Sequence, residues 1–247
     1  MPDKLGYRAK WGLVVPARNT VCETELHRTA PPGITINTAR ATWTPPLPRW
    51  TDDRAQKAMA QSIRDSEPAA IEQLLACKPD YIIIGEGGFS FTRAEHEAMG
   101  ARYDRLAGVG VATSARAFLH ALEVLGARSL AVLTPRLPDS GVVSGGLWQE
   151  CGYRVTAGRG MNCNSAFEIV DLAEYRIFAA LGELASTKPD VILATGSNFL
   201  MMHLADDAER RFGVPVLHVN TVLFWHALRD SGFDDKIPRL GMILRDH

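Results

Sequence analysis

The sequence predicts an α/β fold of two pseudo-symmetric halves, each a mostly parallel sheet flanked by helices, with a cleft between them. Short β-rich apolar runs alternate with segments of helical length and periodicity. The runs close on glycine- or proline-marked turns. Three phrases also recur in the same order in both parts of the chain. The halves are expected at 1–125 and 126–247, with a helix free to cross over at the boundary and the C-terminal segment packing back on the first half.

The elements follow in order. WGLVVPARNT reads as a strand running into a loop, with Cys22 in the helix after it, and residues 34–43 alternate apolar and polar like a second strand. TPPLPRW cannot stay helical for long. Residues 54–76 carry Ala, Ile and Leu at helical steps, and DYIIIGEGG is a buried strand closed by glycine. Residues 93–106 read as a helix, VGVATS as a strand, and 115–125 as a helix capped by Gly126. SLAVLTP restarts the series, followed by a helix at 144–151, the strand YRVTAG and a helix at about 171–186. The strand VILATG, a helix through DDAERRFG, the strand VPVLHV and the helix TVLFWHALRDSG complete it.

The repeat is the more informative signal. Lys78-Pro79-Asp80 opens KPDYIIIGEGGFSF and Lys188-Pro189-Asp190 opens KPDVILATGSNFLM, each reaching an aromatic, Phe89 or Phe199, after a small-residue loop. VGVATSARAFLHALEVLG then matches VPVLHVNTVLFWHALRDSG, with His120 and His226 in register, and GLVVPAR matches AVLTPR. In parallel α/β units ligands bind beyond the carboxyl ends of strands. Two facing units would bring PARNT, GEGGFSF, LTPRLPDSG and TGSNF to one cleft, and such small polar loops suit an anionic ligand.

Composition narrows the function classes. A formal net charge of -1 supplies no basic field for nucleic acid or anionic membrane. No apolar run approaches the roughly 18 residues of a span, and MPDKLGYRAK lacks the apolar core of a signal peptide. Cys22, Cys77, Cys151 and Cys163 lie far apart without CxxC spacing, so reduced thiols of a cytoplasmic protein are expected rather than disulfides or zinc. GEGGFS lacks both the third glycine of GxGxxG and a Walker lysine, so a nucleotide is not expected.

VVPARNTVCETEL, the LTP loop, the KPDVIL strand and ERRFGVPVLHVNTVLFWHAL resemble maleate cis-trans isomerases and the related arylmalonate decarboxylases, of the aspartate/glutamate racemase superfamily. The resemblance spans nearly the whole chain. It implies cofactor-independent isomerisation, racemisation or decarboxylation next to the carboxylate of a small organic acid, by a homo-oligomer. It also implies cysteines at the ends of the two duplicated strands. Here those turns read Gly85-Glu86-Gly87-Gly88 and Thr195-Gly196-Ser197-Asn198, without cysteine.

The candidate site follows from what stands there instead. Glu86 is placed as acid or base and Ser197 as a catalytic hydrogen-bond donor. Asn19, Thr20, Gly87, Gly88, Arg136, Asn164 and Asn198 are placed against the substrate, with no metal and no cofactor. Arg136 stands where relatives carry tyrosine; it either favours a dianionic substrate or pairs with Glu86. Cys163, in GMNCNS, is the one cysteine whose loop could reach the cleft. His96 and His203 follow the two turns and could point inward, whereas His120 and His226 read as helix histidines. A hydrolase or other lyase on the same scaffold, and a non-catalytic small-acid-binding protein, are the alternatives.

Overall fold

The computed structural model describes residues 3–42, 53–86, 92–136 and 146–247. Its first sheet contains β1 (Ala9–Pro16), β2 (Ile34–Ala41), β3 (Tyr81–Ile84) and β4 (Gly110–Ala112), in the order β2-β1-β3-β4 and parallel throughout. The second contains β5 (Ser129–Thr134), β6 (Arg154–Gly160), β7 (Val191–Ala194) and β8 (Val216–His218), in the order β6-β5-β7-β8 and again parallel. The second order is the first with each label raised by four. The repeat in the sequence is a repeat of topology.

Around the first sheet lie α1 (Cys22–Thr29), α2 (Asp53–Leu75), α3 (Arg93–Ala107) and α4 (Ser114–Val124). The second carries α5 (Gly146–Glu150), α6 (Ala166–Val170), α7 (Glu174–Ala185), α8 (Ala205–Phe212), α9 (Val219–Asp230) and α10 (Met242–Arg245). The helix expected at about 171–186 is α7, and a separate short helix, α6, precedes it. Ser165 caps α6 by accepting from the Glu168 N–H, and Ala173 is extended, with ψ 133, before α7 begins. TPPLPRW lies outside the described residues. Among the described residues no helix is long and apolar enough to cross a membrane.

Strand alternation sorts the side chains into two cores. Trp11, Leu13, Ile83, Val132 and Leu193 join α4 and α9 in one, while Val14, Ile82, Leu133 and Ile192 join α2, α3 and α7 in the other. The first core draws on both sheets and so joins them. Trp11 meets Phe224 edge-on at 5.6 Å, and Phe118 meets Trp148 at 5.7 Å. Each buried ring contributes roughly 2–3 kcal/mol of transfer free energy. α9 packs against α4 and also against β3 and β4, so a helix of the second half closes over the first sheet. The duplicated histidines meet there, with His120 Nδ1 2.9 Å from His226 Nδ1.

The Lys–Pro–Asp phrases are structural joints. Lys78 and Lys188 take left-handed φ angles of 52° and 55°, turning the chain out of α2 and α7 toward the next strand. The Asp190 carboxylate then accepts from the Arg128 and Ser129 N–H groups at 2.9 and 2.8 Å and from Ser129 Oγ at 2.9 Å. Asp80 accepts from the Lys10 N–H at 3.0 Å in the equivalent place. Each joint therefore ties the start of a central strand to the strand beside it.

A second tie crosses between the halves. Glu25 of α1 is buried, and its carboxylate accepts from Asn220 Nδ2 of α9 at 2.7 Å and from the Met202 N–H at 3.1 Å. Asn220 Nδ2 also donates to the Ser197 carbonyl at 3.0 Å. Burial outweighs these donors and pushes the Glu25 carboxyl up to about 7.

Two outcomes are expected. Asp190→Ala leaves two strand N–H groups without their acceptor and should lower stability by about 1–2 kcal/mol in urea unfolding; a change under about 0.3 kcal/mol would refute the joint. The hydrogen bonds hold the Asp190 carboxyl below its ordinary 3.8, so its contribution is present above that value and lost as pH falls. Glu25 has the opposite sign. Its folded value lies above the ordinary 4.5, so its contribution is full below that pH and disappears as pH rises through about 7. Urea midpoints should fall across this window, and Glu25→Gln should flatten that fall; an unchanged slope would show that Glu25 does not titrate there.

Candidate active site

All strands being parallel, their carboxyl ends lie on one side, where the two sheets face each other across a cavity of ≈ 650 Å³ including its mouth. Pro16, Ala17, Arg18 and Asn19 follow β1, Glu86 follows β3, Pro135 and Arg136 follow β5, and Gly196, Ser197 and Asn198 follow β7; all line it. Met59 and Ile63 of α2 and Ala166 and Ile169 of α6 complete mostly apolar walls. The β7 turn requires glycine: Gly196 has φ +92, and a Cβ there would stand 2.7 Å from Pro135 Cγ.

Amide side chains fix the loops across the cleft. Asn19 Oδ1 accepts from the Val21 and Cys22 N–H groups at 3.0 and 2.9 Å, opening α1. That leaves its amino group to donate, which it does to Ser197 Oγ at 2.8 Å. Ser197 therefore acts as acceptor toward Asn19 and keeps its own proton to donate elsewhere. Asn198 Oδ1 accepts from the Thr20 N–H at 2.8 Å, and its Nδ2 donates to the Ala166 carbonyl at 2.8 Å. Asn19 and Asn198 thus line the cavity with amides committed to holding it together.

The charged groups divide into a buried pair and two cavity arginines. Glu86 is 6% exposed, and its Oε2 lies 3.9 Å from Arg64 Nη2 of α2, itself 6% exposed. Arg64 is an ion-pair partner of Glu86. Behind it, Glu67 accepts a hydrogen bond from the Tyr103 hydroxyl of α3. Burial, followed by the neighbouring charge of Glu86, raises the Glu67 carboxyl. Arg18 and Arg136 face the cavity from β1 and β5. Among the described lining residues, two guanidiniums stand against one carboxylate, a balance that favours anions.

The other expected residues fall elsewhere. Thr20 contributes its N–H to Asn198, and its side chain is exposed. Asn164 is exposed, donating its N–H to Glu168 at 2.8 Å, outside the cavity lining. Gly87 and Gly88 lie outside the described residues. The loop of Cys163 does run beside the cleft, its N–H bonding to the Pro135 carbonyl at 2.9 Å, yet Cys163 is not a lining residue. Its thiol is pushed up to about 11 by burial. His203 pairs with Glu174 at 3.1 Å on the surface. His96 is buried beside a separate cavity lined by Arg93, Glu97 and Arg116, and burial lowers it to about 4. Neither histidine joins Glu86.

Sequence reasoning did not single out Arg18, Arg64, Glu67 or Glu25. Arg18 stood in the PARNT loop already assigned to the cleft, and Glu25 in the ETE segment of the resemblance. Arg64 and Glu67 had no such signal.

No protein-family model matches the chain. It is 26% identical over 246 residues to a maleate isomerase of Nocardia farcinica, covering 95% of this chain and 94% of that one. The solved Nocardia farcinica maleate cis-trans isomerase, a Cys-to-Ser mutant with a covalently bound succinylcysteine intermediate, matches with a TM-score of 0.80 at 19% identity, covering 96% and 98% of the two chains. A liganded mutant of arylmalonate decarboxylase matches with a TM-score of 0.80 at 20% identity, covering 96% and 99%. This chain has the fold of maleate isomerase and arylmalonate decarboxylase from end to end.

Proposed function

We propose that this chain is a cofactor-independent enzyme acting at the carbon next to the carboxylate of a small organic acid, with Glu86 as acid/base. The observation that carries the reading is the convergence, at the ends of four parallel strands, of one buried carboxylate, one serine hydroxyl and two arginines. The similarity to maleate isomerase and arylmalonate decarboxylase supports the isomerase or decarboxylase class.

Each group has a role its chemistry allows. Arg18 and Arg136 bind carboxylate oxygens, and the apolar wall of Met59, Ile63, Ala166 and Ile169 holds the carbon skeleton. Glu86 takes or returns the proton at the reacting carbon, with Arg64 fixing its orientation. Ser197, whose oxygen already accepts from Asn19, donates its proton to the oxygen on which negative charge develops. In the related isomerase a cysteine forms the covalent intermediate. The corresponding turns here carry no thiol, so the reaction proceeds by proton transfer instead. Glu86 is the only carboxylate among the described lining residues. Racemisation by two bases on opposite faces needs a second one, which favours isomerisation or decarboxylation.

Glu86→Gln should lower kcat by about 10²–10⁴-fold on a C4 dicarboxylate or a substituted malonate, with ligand affinity kept within a few-fold. Turnover in deuterium oxide should place deuterium at the α-carbon. Full activity in Glu86→Gln would overturn the assignment. Turnover without deuterium at carbon would favour a hydrolase or other lyase. A ligand bound equally well by both proteins and turned over by neither would make the chain a binding protein.

A further inference from the structure

Ser197 is held at both ends from α1, a helix of the other half. Its Oγ accepts from Asn19 Nδ2 at 2.8 Å, and Asn19 opens α1 by accepting from the Val21 and Cys22 N–H groups. Its carbonyl accepts from Asn220 Nδ2 at 3.0 Å. The same amino group donates to Glu25 Oε2 of α1 at 2.7 Å. Glu25, Asn220 and Ser197 are all buried, and Asn220 completely so. The hydroxyl and the peptide carbonyl of one cavity residue are thus tied to the same helix, the second tie running through Asn220.

Hydrogen-bond polarity gives this second tie a direction. A carbonyl only accepts, and so does an ionised carboxylate, so the two acceptors hold both hydrogens of the Asn220 amino group. Among the described residues no donor reaches Asn220 Oδ1, so the amide is oriented from its amino side alone. Glu25 Oε1 already accepts from the Met202 N–H at 3.1 Å. A proton on the carboxyl therefore sits on Oε2 and meets the Asn220 amino group donor against donor. Turning the amide over relieves that clash, but it places Asn220 Oδ1 against the Ser197 carbonyl, which loses its donor.

We propose that Asn220, oriented by Glu25, is a positioning residue for Ser197: the ionised carboxylate keeps the amide donating to the Ser197 carbonyl, and the turn then holds the hydroxyl where charge develops on the substrate. This rests on the reading of Ser197 as the donor in the reaction. Neither Glu25 nor Asn220 lines the cavity, so both act through the β7 turn. Burial pushes the Glu25 carboxyl up to about 7. The neutral form favours the fold and the ionised form holds Ser197, so stability and turnover move in opposite directions across that value. The other titratable groups nearby are Cys22 and Glu23 on α1, Arg40 of β2, His203 beside Met202, and His218 two residues before Asn220. Burial pushes the Cys22 thiol up and His218 down to about 3, leaving both neutral. Glu23 pairs with Arg40 at 2.7 Å, and His203 with Glu174 on the surface.

A double-mutant cycle on a C4 dicarboxylate or a substituted malonate tests this. Asn220→Leu, of similar size, removes the donor and should lower kcat by about 10- to 100-fold, with KM changed less than about threefold. In a Ser197→Ala background the same substitution should change kcat less than about twofold, because the hydroxyl it positions is gone. An equal loss in both backgrounds, or no loss with Ser197 present, would overturn the proposal. Glu25→Gln can accept from only one of Met202 and Asn220, and it serves where Asn220→Leu fails to fold. Its kcat should lack the limb that rises with pH through about 7 in the wild type. A profile superimposable on the wild type would likewise overturn the proposal. Failure of the parent reading looks different, since Ser197→Ala alone would then stay fully active.

Discussion

The cleft exists because side-chain amides reach across the boundary between the two sheets. Asn19 bonds to Ser197 at 2.8 Å and Asn198 to the Thr20 N–H at 2.8 Å, while Asn220 joins Glu25 to the Ser197 carbonyl. These groups are buried, apart from Thr20, and a buried amide that loses its partner costs about 1–3 kcal/mol. The apolar core between the sheets supplies most of the adhesion but little direction, because hydrophobic contact is non-directional. The amides add direction. They hold the β1 loop and the β7 turn at one separation, and the site geometry depends on that separation more than on any single cavity residue.

Charge is arranged with the same economy. The strand ends offer Arg18 and Arg136 to the cavity and keep Arg64 behind Glu86. An exposed pair at 3.9 Å would contribute almost nothing. Here both partners are buried, where a charge depends far more on its counter-charge. Glu67 and Glu25 show the converse, with burial outweighing their hydrogen-bond donors and raising both carboxyls.

The fold was legible because its signals are local and repeated. Four-residue runs such as YIII, β-branched and closed by glycine, suit strands buried on both faces, and the Lys–Pro–Asp joints mark the same turn twice. The loops around the site were legible because parallel strands confine ligand contacts to their carboxyl ends. Arg64 and Glu67 were not. They belong to a helix read from its Ala, Ile and Leu positions, and in such a pattern a charged residue is assigned to solvent. Their burial depends on Glu86 and Tyr103, which stand far from them in sequence and meet them only in the folded chain. Asn164 stands in a loop near the cleft, exposed, with its backbone N–H held by Glu168.

The duplication explains the scaffold and also shows where it was abandoned. Both turns begin as a small-residue loop after a Lys–Pro–Asp strand, and both face the same cavity. In the second, Gly196 and Pro135 pack so tightly that no side chain fits at the glycine, and Ser197 is left to donate. In the first, the residue after Gly85 is a carboxylate drawn toward the guanidinium of α2. One half therefore presents an ionisable group and the other a neutral donor. A symmetric pair of acids or bases would handle a proton on either face of a bound carbon. In the function proposed above, this unequal pair assigns the proton to one face and the stabilisation of charge to the other, an asymmetry held by the side chains and not by the backbone.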